Sequence, residues 1–364
     1  MKQGIIIVGK IPPPYFGPAI ASKIILESKL REEFHLFHVD TRLNQGIDTM
    51  GRFSFKKLFR LPQIYTHFLK CLLHKDTKIV LIPIAQKGSA LYKDAVFIIL
   101  AKLFRKKIIL HLRGSQLLNW YQGTHGWNRW FFKRQFQKAS AAIVLGEKLR
   151  YIFEHFLPPE KVHVIPNGGN YQLPERRESN EQIRILYLAN LMPSKGVDFF
   201  LEALTGIPEA LRDQLSCLVV GAWESDSFRA HCEKLVSDFQ LPVTFEPVKS
   251  GDEKLKCLAQ SDLFVFTPRA PEGHPWVIVE AMAASLPLIS TDQGAISESV
   301  LDGINGFIVD HRNPQQLREK LMLFVQDRSL LKSMGKDSHR LYLANFTEES
   351  MVQKLSDLFN TLLT

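Results

Sequence analysis

Cysteine is scarce in this 364-residue chain, and its four copies, Cys71, Cys217, Cys232 and Cys257, form no Cys-x-x-Cys pair. That scatter argues against a disulfide framework or a thiolate metal centre and favours a reducing compartment. Long apolar runs are missing too, since no stretch reaches the roughly 18 residues of a membrane span. The short run Ile5-Ile-Ile-Val8 leads into a proline-rich loop without a small-residue cleavage site, unlike a secretory signal. There is no repeat with a period of roughly 20–50 residues and no low-complexity tract.

What is present suits two globular domains. The chain is too long for one ordinary domain, and a hydrophobic content of 45% is ample for two cores. Charge is unevenly divided. Residues 1–170 hold 27 Lys+Arg against 10 Asp+Glu, a balance of +17, whereas residues 171–364 hold 19 against 27, a balance of −8. A basic half of this kind suits an anionic partner, although ordinary solvated surface is the plain alternative.

Strand-like and helix-like segments alternate through both halves. Strands are expected at 3–9, 35–39, 79–84, 107–112, 141–145 and 162–165, and then at 184–189, 217–220, 243–245, 263–266, 286–290 and 306–309. Pro166-Asn-Gly-Gly169 and the polar residues 170–182 read as a linker. The pattern predicts an α/β fold with two Rossmann-like domains, 1–170 and 171–346, facing a central cleft, with ligands at the strand carboxyl ends. The amphipathic segment 347–364 reads as a further helix, free to pack back on the first domain.

Pro268-Arg-Ala-Pro-Glu-Gly-His-Pro-Trp276 and the apolar residues behind it carry the most chemistry. A buried strand delivers Glu272 to a loop at its carboxyl end, and Pro275 reads as a first helical residue. Glu280 follows about one turn into the helix, pointing back towards the same opening. The free N–H groups of a helix start favour an anion, and a carboxylate beside them suits sugar hydroxyls. That combination reads as a nucleotide-sugar site.

Leu191-Met-Pro-Ser-Lys-Gly196, Leu218-Val-Val-Gly221, Glu272-x7-Glu280, Gly294-Ala-Ile-Ser-Glu298, Asp302-Gly-Ile-Asn-Gly306 and Val164-Ile-Pro-Asn-Gly168 occur in this order. In these motifs the chain resembles the retaining glycosyltransferases of family four, which have the GT-B fold. The likeness covers nearly the whole chain and is strongest over 184–310. It implies sugar transfer from a nucleotide donor with retained anomeric configuration, usually without metal or other cofactor. The chain also lacks Asp-x-Asp, the metal anchor expected in the other main transferase fold.

By this resemblance Glu272 contacts the donor sugar, Glu280 holds the ribose and Lys195 neutralises the diphosphate. Gly221, Gly273, His274 and Trp276 fall among the donor-binding positions. The family often has an arginine where this chain has Asn190, so one cation is missing, and Arg269 is the candidate replacement. Gly17 would let a phosphate or sugar approach the backbone of the first loop, unless it is only a turn glycine. On the acceptor side either His111 or Arg113 matches the family's histidine. Strand alternation puts both on one face, and a core histidine and a structural cation are the plain alternatives. Retention needs no protein nucleophile, so none is assigned.

Two segments, 52–60 and 127–134, interleave aromatic and basic residues. They suit an anionic membrane surface, or else the apolar side of ordinary amphipathic helices. No nucleic-acid module accompanies them. The expected partners are therefore a UDP- or GDP-linked sugar, a glycan or lipid-linked acceptor and an anionic membrane. The expected place is the cytoplasm, peripheral on the inner face of the cell membrane, in surface polysaccharide synthesis. Two rivals stand beside this: a sugar-nucleotide epimerase of the same architecture, and a membrane-associated scaffold with a decayed donor site.

Overall fold

The computed structural model describes residues 2–13, 16–42, 55–175 and 181–364, without the side chains of 55–59. It divides into two units, Met1–Asn167 with Glu348–Thr364, and Gly168–Thr347. The break at Asn167 lies three residues before the 170/171 boundary read from composition. The reason is local: the Gly169 N–H donates to the Phe346 carbonyl at 3.1 Å, and the Tyr342 hydroxyl donates to the Gly169 carbonyl at 2.9 Å. Residues 168–170 are thus tied to the second unit.

Among the described residues the first unit holds six strands: β1 (Gly4–Gly9), β2 (His35–Asp40), β3 (Thr77–Ile84), β4 (Lys107–Leu112), β5 (Ala141–Val144) and β6 (Val162–Val164). All pair in parallel, in the order β2-β1-β3-β4-β5-β6. Strands β1, β4 and β5 are near-continuous apolar runs because helices shield both faces of a parallel sheet. The helix Glu348–Leu363 closes one face of this core. Phe359 packs edge-on against Phe34 with ring centroids 5.6 Å apart, and Ser356 donates to the Glu33 carboxylate at 2.5 Å.

The second unit repeats the plan with β7 (Ile183–Leu188), β8 (Leu215–Val220), β9 (Val243–Glu246), β10 (Leu263–Phe266), β11 (Leu288–Thr291) and β12 (Gly306–Val309). Their order is β12-β11-β10-β7-β8-β9, again all parallel. Strand order therefore reverses between β7 and β10. In open α/β sheets the loops leaving such a reversal flank the ligand crevice.

Among the described residues no helix is long and apolar enough to cross a membrane. Helix Gly126–Phe136 buries Phe132, Gln135 and Phe136 and turns Trp127 (61% exposed) and Trp130 (54%) outward. Arg134 lies over the Trp130 ring at 5.4 Å. The neighbouring helix Ser89–Leu103 exposes Tyr92, Val96, Ile99 and Leu103, which share one helical face. Of the other aromatic-basic segment, residues 52–54 and the side chains of 55–59 lie outside the described residues.

Candidate active site

The loop after β7 begins at the exposed Asn190 and closes in the short turn Pro193–Lys195. Gly196 follows with φ +80°, and a Cβ there would fall 2.0 Å from the Thr267 carbonyl oxygen, so only glycine fits. The loop after β10 is bound to it closely. The backbone N–H groups of Arg269 and Ala270 donate to the Ser194 carbonyl, the Thr267 hydroxyl donates to the Gly196 carbonyl at 3.1 Å, and Tyr187 donates to the Lys195 carbonyl. Two loops 77 residues apart in sequence are thus fused, and the Lys195 ammonium meets the Glu272 carboxylate at 2.5 Å. Both side chains stay partly open to solvent.

Behind Glu272 the chain enters the helix Trp276–Ala283. Pro275 is its N-cap, with ψ 129°, and not its first helical residue as the sequence suggested. Gly294 has φ +62° and presses on this loop: a Cβ there would lie 2.0 Å from the Glu272 carbonyl oxygen. Gly273 is held by its carbonyl, which accepts the Ala295 N–H at 2.9 Å.

Glu280, the fifth residue of the helix, is 4% exposed. One of its oxygens accepts from Lys254 at 2.5 Å, while Oε2 has no partner among the described residues. Such burial sets it apart from a surface glutamate that merely favours a helix dipole. Lys254 was not singled out from the sequence. It comes from helix Gly251–Ala259, and nothing local signals a partner 26 residues away.

Several expected donor contacts have other neighbours. Buried His274 faces the interior, with Nε2 2.7 Å from the Ser299 hydroxyl and its ring on Phe346, and burial pushes its pKa down to about 4. The ring is thus neutral and packed inward, away from the part a side-chain ligand would take. Arg269, the candidate replacement cation, forms an ion pair with Asp198, so its charge is already balanced. Gly221 is required by packing, since a Cβ there would lie 1.8 Å from the Ala189 carbonyl oxygen. Trp276 is buried as the first residue of its helix.

In the first unit, Gly17 opens the helix Gly17–Glu27 just ahead of Pro18. The end of β4 brings His111 and Arg113 together, with Arg113 Nη2 3.3 Å from His111 Nδ1 and Nη1 3.0 Å from the Asn167 amide oxygen. The two readings of the strand end thus converge on one contact. Burial holds the His111 pKa well below its ordinary value, helped by the neighbouring guanidinium, so the ring is neutral near pH 7. A neutral imidazole lacks the proton a general acid needs, and with Nδ1 facing the Arg113 guanidinium its other ring nitrogen is left for hydrogen bonding. His35, His74 and Asp76 offer metal-type donors within 4.8 Å of one another, but at the amino-terminal ends of β2 and β3.

Two parallel α/β units, the second with a lysine–carboxylate pair beside its strand-order reversal, define the class as the GT-B fold. Residues 172–340, most of the second unit, match the family described as glycosyl transferases group 1. It is 25% identical over 254 residues to an uncharacterized glycosyltransferase of Methanocaldococcus jannaschii, covering 70% of this chain and 68% of that one. It is 28% identical over 181 residues to a lipopolysaccharide 1,2-N-acetylglucosaminetransferase of Salmonella typhimurium, covering 45% and 47%. Among solved structures, HepE of Anabaena in complex with UDP superposes with a TM-score of 0.74 at 16% identity, covering 99% of this chain and 100% of that one.

Proposed function

We propose that this enzyme moves a sugar from a nucleoside-diphosphate sugar to a glycan or lipid-linked acceptor, with retention and without a metal ion, in surface polysaccharide synthesis. The Lys195–Glu272 pair at the strand-order reversal carries this reading. An ammonium has three donors, so Lys195 can keep Glu272 oriented and still meet an incoming diphosphate. As the bond from the anomeric carbon to the phosphate oxygen breaks, charge gathers on the diphosphate, and a fixed ammonium favours that state over the ground state. Glu272 orients the sugar hydroxyls, and the free oxygen of Glu280 accepts from the ribose. The departing phosphate oxygen takes the proton of the acceptor hydroxyl, which bonds to the anomeric carbon on the same face.

A thermal-shift panel of UDP- and GDP-linked sugars tests the reading. A true donor at 100 times its Kd stabilises by about 2.7 kcal/mol. UDP comes first, since the Anabaena neighbour holds it. Turnover should survive excess EDTA. If no nucleotide sugar shifts the melting temperature, the reading fails. The Salmonella relative supports a polysaccharide setting.

The face formed by Tyr92, Val96, Ile99, Leu103, Trp127 and Trp130, edged by Arg129, Lys133 and Arg134, favours an anionic lipid surface as the place of work. Each basic side chain near such a surface contributes about 1 kcal/mol. Wild-type protein should sediment with anionic liposomes at low salt, and Trp127→Ala/Trp130→Ala should lose at least about tenfold in binding. Equal sedimentation of both proteins would remove this face from the reading.

A further inference from the structure

At the carboxyl end of β4, Arg113 is a cation whose described partners are an amide oxygen and an imidazole nitrogen, both neutral. No carboxylate pairs with it among the described residues. A guanidinium has donors only, so His111 Nδ1 must be the acceptor of their contact. In the neutral ring the proton then sits on Nε2, which makes Nε2 a donor. His111 Nε2, Arg113 Nε and Ser115 Oγ are all buried without a partner among the described residues. His111 is 2% and Ser115 5% exposed, while Arg113 remains partly open.

Here a positive charge whose described partners are both neutral shares a strand end with two buried donors, His111 Nε2 and Ser115 Oγ, that have no partner among the described residues. A sugar hydroxyl would satisfy one donor but leave the charge unbalanced, whereas an anionic oxygen answers both. The setting is also stiff. A Cβ on Gly114 would overlap the Gln86 side chain, whose oxygen accepts the Gln116 N–H at 2.8 Å, so the loop after β3 braces the loop after β4. Burial pushes the Arg113 pKa down to about 9, which leaves the group charged near pH 7. A bound anion would oppose that shift.

We propose that His111, Arg113 and Ser115 form an anion subsite, and that one of the enzyme's two substrates carries a carboxylate or phosphate group on the sugar that reaches it. This rests on the transferase reading and adds the substrate's charge to it. The anion belongs either to the transferred sugar or to the acceptor, and the two sources separate by experiment.

Isothermal titration of the full-length wild-type chain, Arg113→Gln and Ser115→Ala would compare UDP-glucuronate with UDP-glucose. Saturation-transfer NMR would compare glucuronate with glucose, and glucose 1-phosphate with glucose, with and without UDP. Wild type should prefer the charged member of a pair about ten- to hundredfold, the range of a charge-assisted contact. Arg113→Gln should abolish the preference and Ser115→Ala should lower it severalfold. A preference among nucleotide-linked sugars puts the anion on the donor, and one seen only with the free sugars puts it on the acceptor. If wild type shows no preference in any pair, or if Arg113→Gln keeps it undiminished, the subsite is refuted. Should Arg113→Gln fail to fold, the wild-type preference and its severalfold reduction in Ser115→Ala decide. UDP and GDP binding are read separately. Absence of both UDP and GDP binding would overturn the nucleotide-sugar reading, while the free-sugar arm would still judge the anion subsite.

Discussion

Replacing Gly294 by alanine should unseat the loop that carries Glu272. The new Cβ would lie 2.0 Å from the Glu272 carbonyl oxygen and 2.7 Å from that of Gly273, where real Cβ contacts stay beyond 3.0 Å. The loop must therefore retreat by about 1 Å, or Gly294 must leave φ +62°. The left-handed conformation alone costs roughly 1–2 kcal/mol for a residue with a Cβ. Weakening the bond from the Ala295 N–H to the Gly273 carbonyl adds about 1 kcal/mol. A total of about 2–3 kcal/mol should lower the melting temperature by about 5–10 °C in a unit of this size. A displacement of about 1 Å at a reacting centre costs about a hundredfold in rate. Gly303→Ala is the internal control, since Gly303 has φ +74° with nothing within 4 Å of its Cβ. It should lose stability from backbone strain and keep its kcat/KM. Scanning fluorimetry and a nucleotide-release assay read the two effects. The reasoning fails if Gly294→Ala melts within about 1 °C of wild type at unchanged rate, or if Gly303→Ala loses activity equally.

Three further outcomes follow from described contacts. Glu280→Gln keeps the shape but removes the charge, and calorimetry should show UDP binding weakened at least about tenfold. Lys254→Met leaves Glu280 buried and unpaired, and should cost up to about 3 kcal/mol in urea unfolding, most of which the double variant with Glu280→Gln recovers. His274 titrates near 4 when folded, below its ordinary 6.5. Between these values the unfolded chain binds the extra proton, so stability is complete above 6.5 and falls as pH drops towards 4. That loss should reach about 2 kcal/mol between pH 7 and pH 5, and His274→Asn should flatten the slope.

Strand positions were legible because a parallel strand covered on both faces is a short apolar run between turn residues. Residues 107–112, 263–266 and 306–309 have the bounds expected of them. Strand order was not legible in the same way, since neither Ile185 nor Leu263 signals that β7 and β10 are partners. At the site, the spacing of Glu272 and Glu280 shows in the sequence, whereas Lys254 beside Glu280 and Asp198 beside Arg269 are tertiary facts. His274 illustrates the opposite limit. A polar residue in a motif looks like a ligand, and only the structure shows that its ring is buried against Phe346 and Ser299. Gly196, Gly221 and Gly294 stand in sequence motifs, but each is glycine because a carbonyl of another loop occupies the space of its side chain.

The chain passes from the first unit to the second after Asn167 and returns after Thr347, and Gly169 and Thr347 form a parallel bridge at these two crossings. During synthesis, residues 2–167 emerge without the helix that covers Ile5, Ile79 and Ile109. The second unit is contiguous and can fold as soon as it is made. The first unit therefore starts earlier and finishes later, with its apolar face uncovered while the whole second unit is translated. A nonsense codon anywhere in 348–359 would thus spare the core of the second unit, which ends before it, and strip the core at the amino terminus.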